Sequence, residues 1–243
     1  MFSYYGSKSK IVDYYPTPKF NKIIEPFAGS ARYALRFFEN DILLVDKYPV
    51  IVDVWNYLKN ASEKDILGLP RLKNGQSLNE FNLSYEENMF LGFSIKQGSE
   101  RPSNKAVKFA TNLNPGEKNT NIERNLKRVA SQLYKIRHWS IMCEDYLNIP
   151  DENATWFVDP PYQFGGKCYV MSNKYLNYKE LSNWCKNRKG QVIVCENTKA
   201  DWMDFKPFVK RCDNSANAHK NKTREAIWSN YETNFDYKQC SLF

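Results

Sequence analysis

Histidine is scarce in this chain, and its cysteines are scattered. The two histidines, His138 and His219, stand far apart, which argues against a histidine-dependent triad or a histidine metal site. No Cys-x-x-Cys pair occurs, so the spacing typical of zinc ligands is missing. The sequence therefore predicts no metal site, and its six cysteines are typical of reduced thiols in a reducing compartment.

Long apolar runs are also missing. Strand-like runs such as residues 42–45 fall far short of the ~18–20 residues of a membrane span. The first six residues have neither a basic start nor an apolar stretch, so no signal peptide is expected. Hydrophobic residues make up 42% and charged residues 26% of the 243 positions, which excludes a wholly disordered chain. We therefore expect a soluble, cytoplasmic protein without a membrane partner, built as one domain that carries an insertion.

Positive charge is concentrated in the middle of the sequence. The net charge is +8, and residues 59–138 carry fourteen basic and eight acidic side chains, whereas the two flanks are nearly balanced. A local excess of this kind attracts a polyanion such as nucleic acid, and it is also typical of a plain solvated surface.

The order of local patterns predicts an α/β fold. Short connections between strands and helices imply parallel pairing with right-handed crossovers, and this rhythm is lost between residues 60 and 120. We expect a doubly wound sheet formed by residues 1–58 and 139–243, interrupted by a basic insertion at 59–138. The predicted strands are 22–25, 42–45, 139–143, 155–158, 191–195 and two within 208–231 around a polar turn at 213–223; the predicted helices are 31–39 (capped by Ser30), 49–58, 85–95, 121–136 and 178–187.

The most informative motif follows the strand at 155–158 and consists of Asp159, Pro160, Pro161 and Tyr162. Two consecutive prolines fix φ and remove two N–H donors, so the carbonyls of Asp159 and Pro160 point out of a rigid turn. Such a turn can accept two hydrogen bonds from a planar amino group while the Tyr162 ring stacks on the base that bears it. The alternative is a strand-terminating turn with an incidental aspartate.

A second motif, residues 25–30, lies at the first strand-to-helix turn, where open α/β sheets bind nucleotides. Asp46 ends the next strand, the place where such folds put the acid that holds a ribose diol. The Gly-x-Gly-x-x-Gly fingerprint is missing, which disfavours a pyrophosphate-bearing cofactor and favours an adenosine without phosphates.

Taken in order, residues 4–10, residues 25–30, Asp46 and the tetrapeptide at 159–162 resemble the motifs of the Dam-like (D12 class) DNA adenine-N6 methyltransferases. Residues 224–231 are similar to the closing strand of that family. The resemblance covers residues 1–58 and 139–235. It departs from the family at Ser30, where many relatives have glycine, and at Lys47-Tyr48 after Asp46.

The resemblance implies a Rossmann-like class I methyltransferase sheet with an antiparallel C-terminal hairpin, and S-adenosyl-L-methionine as the cofactor. It implies that Asp159, Pro160, Pro161 and Tyr162 hold a flipped adenine and form the catalytic set. The implied cofactor residues are Tyr4 and Lys8 (pocket lining), Glu25, Phe27, Gly29 and Ser30 (methionine end), Asp46 (ribose), Asp145 (adenine edge) and Asp159.

The resemblance also implies that double-stranded DNA is the partner and that residues 59–138 recognise the target. At about 80 residues this region is short for the family, which bears on sequence specificity. Most basic contacts would go to phosphates, and Arg101 or Asn104 could read bases. The candidate DNA-binding residues are Lys96, Arg101, Lys105, Lys108, Arg124, Lys127 and Arg128.

Two alternatives stay open. A methyltransferase acting on another planar amino group would fit the same fold, but cytosine-N4 enzymes usually have serine, and RNA- or glutamine-modifying relatives asparagine, where this chain has Asp159. A DNA- or RNA-binding module with a vestigial pocket is the second alternative, and the intact Lys8, Asp46 and Asp159 argue against it.

Overall fold

The computed structural model describes residues 1–96, 98–113, 118–209 and 225–231. Within these residues, seven strands form one mixed sheet in the order β3-β2-β1-β4-β5-β7-β6. The five strands from β3 to β5 are parallel, and β7 runs antiparallel to both β5 and β6. The strands are β1 (Lys22–Glu25), β2 (Asp41–Asp46), β3 (Ser140–Cys143), β4 (Ala154–Val158), β5 (Gly190–Asn197), β6 (Lys206–Val209) and β7 (Glu225–Ser229).

Seven helices accompany the sheet in the described part of the chain. Pro49 opens α2 in the first turn, and reciprocal capping boxes begin α3, α4 and α6 at Ser62, Ser84 and Thr120. None of these helices combines the length and hydrophobicity needed to cross a membrane. They are α1 (Arg32–Arg36), α2 (Pro49–Asn60), α3 (Glu63–Gly68), α4 (Tyr85–Ser94), α5 (Lys108–Thr111), α6 (Asn121–Ala130) and α7 (Tyr178–Lys186).

The sheet separates two apolar layers. On one face, Trp156 of β4 packs in a cluster with Trp184 of α7. On the other face, Phe157 shares a cluster with Phe90 of α4 and Leu126 of α6. Residues 59–138, predicted as an insertion, therefore contribute buried side chains to the same core that covers the sheet.

The α/β class is confirmed, and the other predicted strands coincide with β1–β5 and β7, but β6 begins at Lys206, before the predicted 208. Some helix boundaries were also wrong. The helix predicted for 31–39 covers only α1, and Ser30 does not cap it, because Ala31 adopts φ +44° and turns the chain first. The helix predicted for 121–136 ends at Ala130, and a separate 3-10 turn follows at Leu133–Ile136. α3 and α5 were not predicted. The polar turn at 213–223 lies outside the described residues.

Gly190 allows the first residues of β4 and β5 to pair closely, because it lies directly beside Ala154 in the sheet. This contact gives a first prediction. Gly190 has φ +87°, and a Cβ placed there would lie 2.2 Å from the Ala154 carbonyl oxygen. Replacing Gly190 with alanine should lower the free energy of unfolding by about 1–3 kcal/mol, measured by urea denaturation. The matched control is Gly68→Ala at the end of α3, where a Cβ meets nothing within 4 Å. Equal stabilities of the two variants would contradict this account.

Candidate active site

A cavity of about 530 Å³ opens at the carboxyl ends of β1, β2 and β4. Because parallel strands end at a common edge, motifs far apart in the sequence meet there. Every residue that the resemblance implied for the cofactor lines this cavity: Tyr4, Lys8, Glu25, Phe27, Gly29, Ser30, Asp46, Asp145 and Asp159.

The loop after β1 is tied to the end of β2. Gly29 has φ +45°, and its N–H donates to Asp46 Oδ2 at 3.0 Å. The other oxygen of Asp46 accepts from the Tyr48 N–H at 2.9 Å. Burial raises the pKa of Asp46 to about 6, against these two backbone hydrogen bonds. The carboxylate is therefore held in one orientation in the cavity wall.

Ser30 faces the N-terminal motif instead of capping α1. Its hydroxyl donates to Ser7 Oγ at 3.1 Å, and the Arg32 guanidinium donates to the same oxygen and to the Phe2 carbonyl. These contacts join residues 2–7 to the first strand-to-helix loop.

Glu25 is a buried acid at the end of β1. Its Oε1 accepts from the Ala34 N–H at 2.6 Å, so this carboxyl group binds a backbone donor of α1. Burial and the negative charge of Asp159 raise the pKa of Glu25 to about 8, although the Ala34 bond and Lys8 oppose the shift.

Lys8 and Asp159 form a largely buried ion pair. Lys8 Nζ lies 2.8 Å from Asp159 Oδ1, and the lysine side chain is only 7% exposed. Burial alone would lower the pKa of Lys8, but the adjacent Asp159 raises it, so the lysine is held as an ammonium ion. Burial raises the pKa of Asp159, while Lys8 acts in the opposite direction.

The tetrapeptide turn is only partly presented to the cavity. Asp159 and Pro161 line it, and the Pro161 carbonyl accepts from Tyr178 Oη at 2.6 Å. Pro160 is buried. The half-buried Tyr162 ring lies beside the cavity with Lys8 Nζ 4.7 Å from its centroid. An ammonium ion thus lies against the ring that was predicted to stack on a base.

Sequence reasoning missed the residues that close the cavity after the tetrapeptide. Tyr169, Met171 and Tyr175 all line it, and their aromatic or long apolar character soon after residue 162 was the available signal. Tyr169 packs edge-on against Tyr5, with ring centroids 5.2 Å apart. A Cβ at Gly6 would lie 1.9 Å from Tyr169 Oη, so only glycine allows this contact.

Asp145 is engaged at the opposite end of the cavity. Its Oδ2 pairs with Lys47 Nζ at 2.6 Å, and its Oδ1 accepts from the Leu147 N–H at 3.1 Å. Lys47, which belongs to the Lys47-Tyr48 departure from the family pattern, also lines the cavity.

The seven basic candidates do not form one group at the cavity. Lys96 and Arg101 flank a segment bound to the N-terminal motif, because the Tyr5 N–H donates to the Ser99 carbonyl at 3.3 Å. Arg128 donates to the Met1 carbonyl at 2.9 Å, so this guanidinium has a structural contact. The other four lie along residues 105–127: Lys105, Lys108 and Lys127 are exposed, and Arg124 is half-buried and donates to the Asn119 carbonyl.

Comparison with known proteins identifies no family for this chain. No protein-family model matches the chain, and a search of curated proteins finds no significant match. In the described part of the chain, no three histidine, cysteine, aspartate or glutamate side chains are grouped as metal ligands.

The raised pKa of Glu25 makes stability depend on pH. The carboxyl group binds its proton more tightly in the folded state, with a pKa of about 8, than at its ordinary value of 4.5. Its contribution is fully present below pH 4.5 and is lost as the pH rises through 8. We expect Glu25→Gln to flatten the fall in the free energy of unfolding between pH 5 and 8.5.

Urea denaturation at several pH values measures this slope. Glu86→Gln, at an exposed position of α4, is the control and should retain the wild-type slope. An unchanged slope in Glu25→Gln would show that Glu25 is ionised in the folded protein.

Proposed function

We propose that this chain is a methyltransferase that transfers a methyl group from S-adenosyl-L-methionine to N6 of an adenine extruded from double-stranded DNA. The observation that carries the proposal is the single cavity in which Asp159 meets the motifs at 4–8, 25–30 and 46. The strand order, with β7 antiparallel between β5 and β6, supports our proposal that the α/β sheet is a Rossmann-like class I methyltransferase sheet.

The charge pattern of the cavity supports a cationic, phosphate-free nucleoside. Its lining has carboxyl groups from β2, α7 and the loops after β3 and β4, whereas Glu25 of β1 is protonated at neutral pH. The three basic side chains of the lining are all engaged: Lys8 with Asp159, Lys47 with Asp145, and Arg32 with backbone and hydroxyl oxygens. A phosphate would find no uncommitted cation among these three.

The backbone next to Asp46 also suits a nucleoside. Gly29 turns with a positive φ, which favours glycine, and a Cβ there would lie 3.1 Å from the Tyr4 ring, closer than an ordinary contact. Asp46 would hold the ribose hydroxyls and Asp145 the adenine edge. When bound, S-adenosyl-L-methionine supplies an activated methyl group on a sulfonium.

Asp159 would act on the amino group that receives the methyl. The lone pair of adenine N6 is delocalised into the ring, so a hydrogen bond from one of its protons to the Asp159 carboxylate, which lines the cavity, favours tetrahedral character. The surplus proton would leave through Asp159 or water. The consecutive prolines and the Tyr178 hydrogen bond keep the turn rigid, so positioning and electrostatics are the main contributions.

The target base must leave the duplex stack, because N6 is otherwise inaccessible to a cavity of this kind. Among the seven candidates, Lys96 and Arg101 stand on the segment adjoining Tyr5, which lines the cavity, so we assign them to the flanking backbone. Their contacts would fix the position of the DNA without reading its sequence.

Methylation of random-sequence DNA, with read-out of every modified base, tests the proposal. We expect N6-methyladenine in DNA from the wild-type protein. Asp159→Ala should lower kcat by about 100- to 1000-fold while calorimetry still detects cofactor binding. Asp204→Ala, at an exposed position, is the matched control and should keep wild-type activity.

Product identity separates the alternatives. N4-methylcytosine, or methylation of RNA alone, would overturn the adenine-DNA assignment. Nucleic-acid binding without any cofactor binding would identify a vestigial pocket. Wild-type turnover in Asp159→Ala would contradict the role given to this residue.

The salt dependence of DNA binding tests the proposed contact surface. The double variant Lys96→Gln/Arg101→Gln should reduce the slope of log affinity against log salt by about 2, because each lost phosphate contact releases one counterion fewer. Lys186→Gln/Lys189→Gln is the control, because these lysines precede β5 at the opposite edge of the sheet. If the slope changes only in the control variant, the DNA contacts the opposite edge of the sheet and not Lys96 and Arg101.

A further inference from the structure

Glu225 lies in the segment at 224–231, where no role was predicted for it, and it contacts the tetrapeptide directly. It is the first residue of β7, and its Oε2 accepts a hydrogen bond from Tyr162 Oη at 2.6 Å. In the sheet register Glu225 pairs with Asn197 of β5, so a hydrogen-bonded strand carries this carboxylate. The contact therefore joins the antiparallel end of the sheet to the turn at 159–162.

Several contacts hold Tyr162 in place. Glu225 binds its hydroxyl, the Lys8 ammonium lies 4.7 Å from the ring centroid, and its carbonyl accepts from the Gly166 N–H at 3.0 Å. A hydrogen bond to a carboxylate is stronger than one between neutral groups, so the Glu225 contact strongly restricts the ring.

Side chains at the carboxyl end of β5 form hydrogen bonds with the backbone of the residues that follow the tetrapeptide. Glu196 Oε1 accepts from the Gln163 N–H, and Asn197 Nδ2 donates to the Phe164 carbonyl at 2.8 Å. Both side chains are buried. With the backbone held in this way, the Tyr162 ring depends on its own side-chain contacts for its orientation.

We propose that Glu225 is a positioning residue for the methyl transfer, acting through Tyr162; this inference rests on the proposed function. Glu225 fixes the ring beside Lys8 and so keeps the ammonium ion in its pairing geometry with Asp159. The Tyr162 hydroxyl also interacts with the Asp159 carboxylate. Without the Glu225 carboxylate, the phenol keeps only that contact, and the ring can shift relative to Lys8. The Asp159 carboxylate, the proposed acceptor for the substrate amino group, then loses its fixed direction.

Steady-state kinetics of four variants test this role: Glu225→Ala, Glu225→Gln, Tyr162→Phe and the double variant Tyr162→Phe/Glu225→Ala. We expect Glu225→Ala to lower kcat about 10- to 100-fold, because small displacements in an active site cost this much. KM for DNA and Kd for the cofactor should change less than about twofold. Glu225→Gln should keep most of the activity, because its amide oxygen still accepts from Tyr162.

Non-additivity separates positioning from a general loss of structure. Tyr162→Phe removes the other end of the same hydrogen bond, so the double variant should be no slower than the slower single variant. Ser229→Ala, at the far end of β7, is the control and should retain wild-type kcat.

Losses that multiply in the double variant, or wild-type kcat in Glu225→Ala, would overturn the inference while leaving the proposed function intact. A wild-type protein that methylates no nucleic acid would overturn both.

Discussion

The buried pair of Lys8 and Asp159 is the interaction on which the rest of the site depends. Breaking a buried ion pair leaves one charge uncompensated, which is strongly destabilising, so the two motifs must stay together once the chain has folded. The pair also determines the neighbouring geometry, because the same ammonium ion lies against the Tyr162 ring. The N-terminal segment is thereby attached to the end of β4, and the cavity lies between them.

The sheet explains why such distant motifs converge. β1, β2 and β4 are parallel and adjacent, so Glu25, Asp46 and Asp159 follow at one edge. Residues 59–138 are long enough to form a separate layer, yet Phe90 and Leu126 pack in the core of the sheet. The exposed basic side chains of this region are therefore carried on a scaffold that shares its hydrophobic core with the proposed catalytic edge.

Sequence patterns were sufficient to predict the strands and the sheet edge at which they end. The buried strands and the edge to which they bring Asp46 and Asp159 follow from periodicity and the rules for parallel sheets. The cap predicted at Ser30 was wrong because the chain makes a left-handed turn at Ala31, which a helix-cap pattern does not indicate. The roles of Tyr169 and Glu225 could not be assigned this way, since they arise from contacts with Gly6 and Tyr162, more than sixty residues away in sequence.

Equilibrium titration with S-adenosyl-L-methionine and, separately, with ATP tests the central claim about this cavity most directly. Both ligands contain adenosine, but one is a sulfonium and the other a polyphosphate, and the cations of the lining are already paired. The account predicts saturable one-site binding of S-adenosyl-L-methionine and no comparable binding of ATP. Tighter binding of ATP, or no binding of the sulfonium compound, would contradict it.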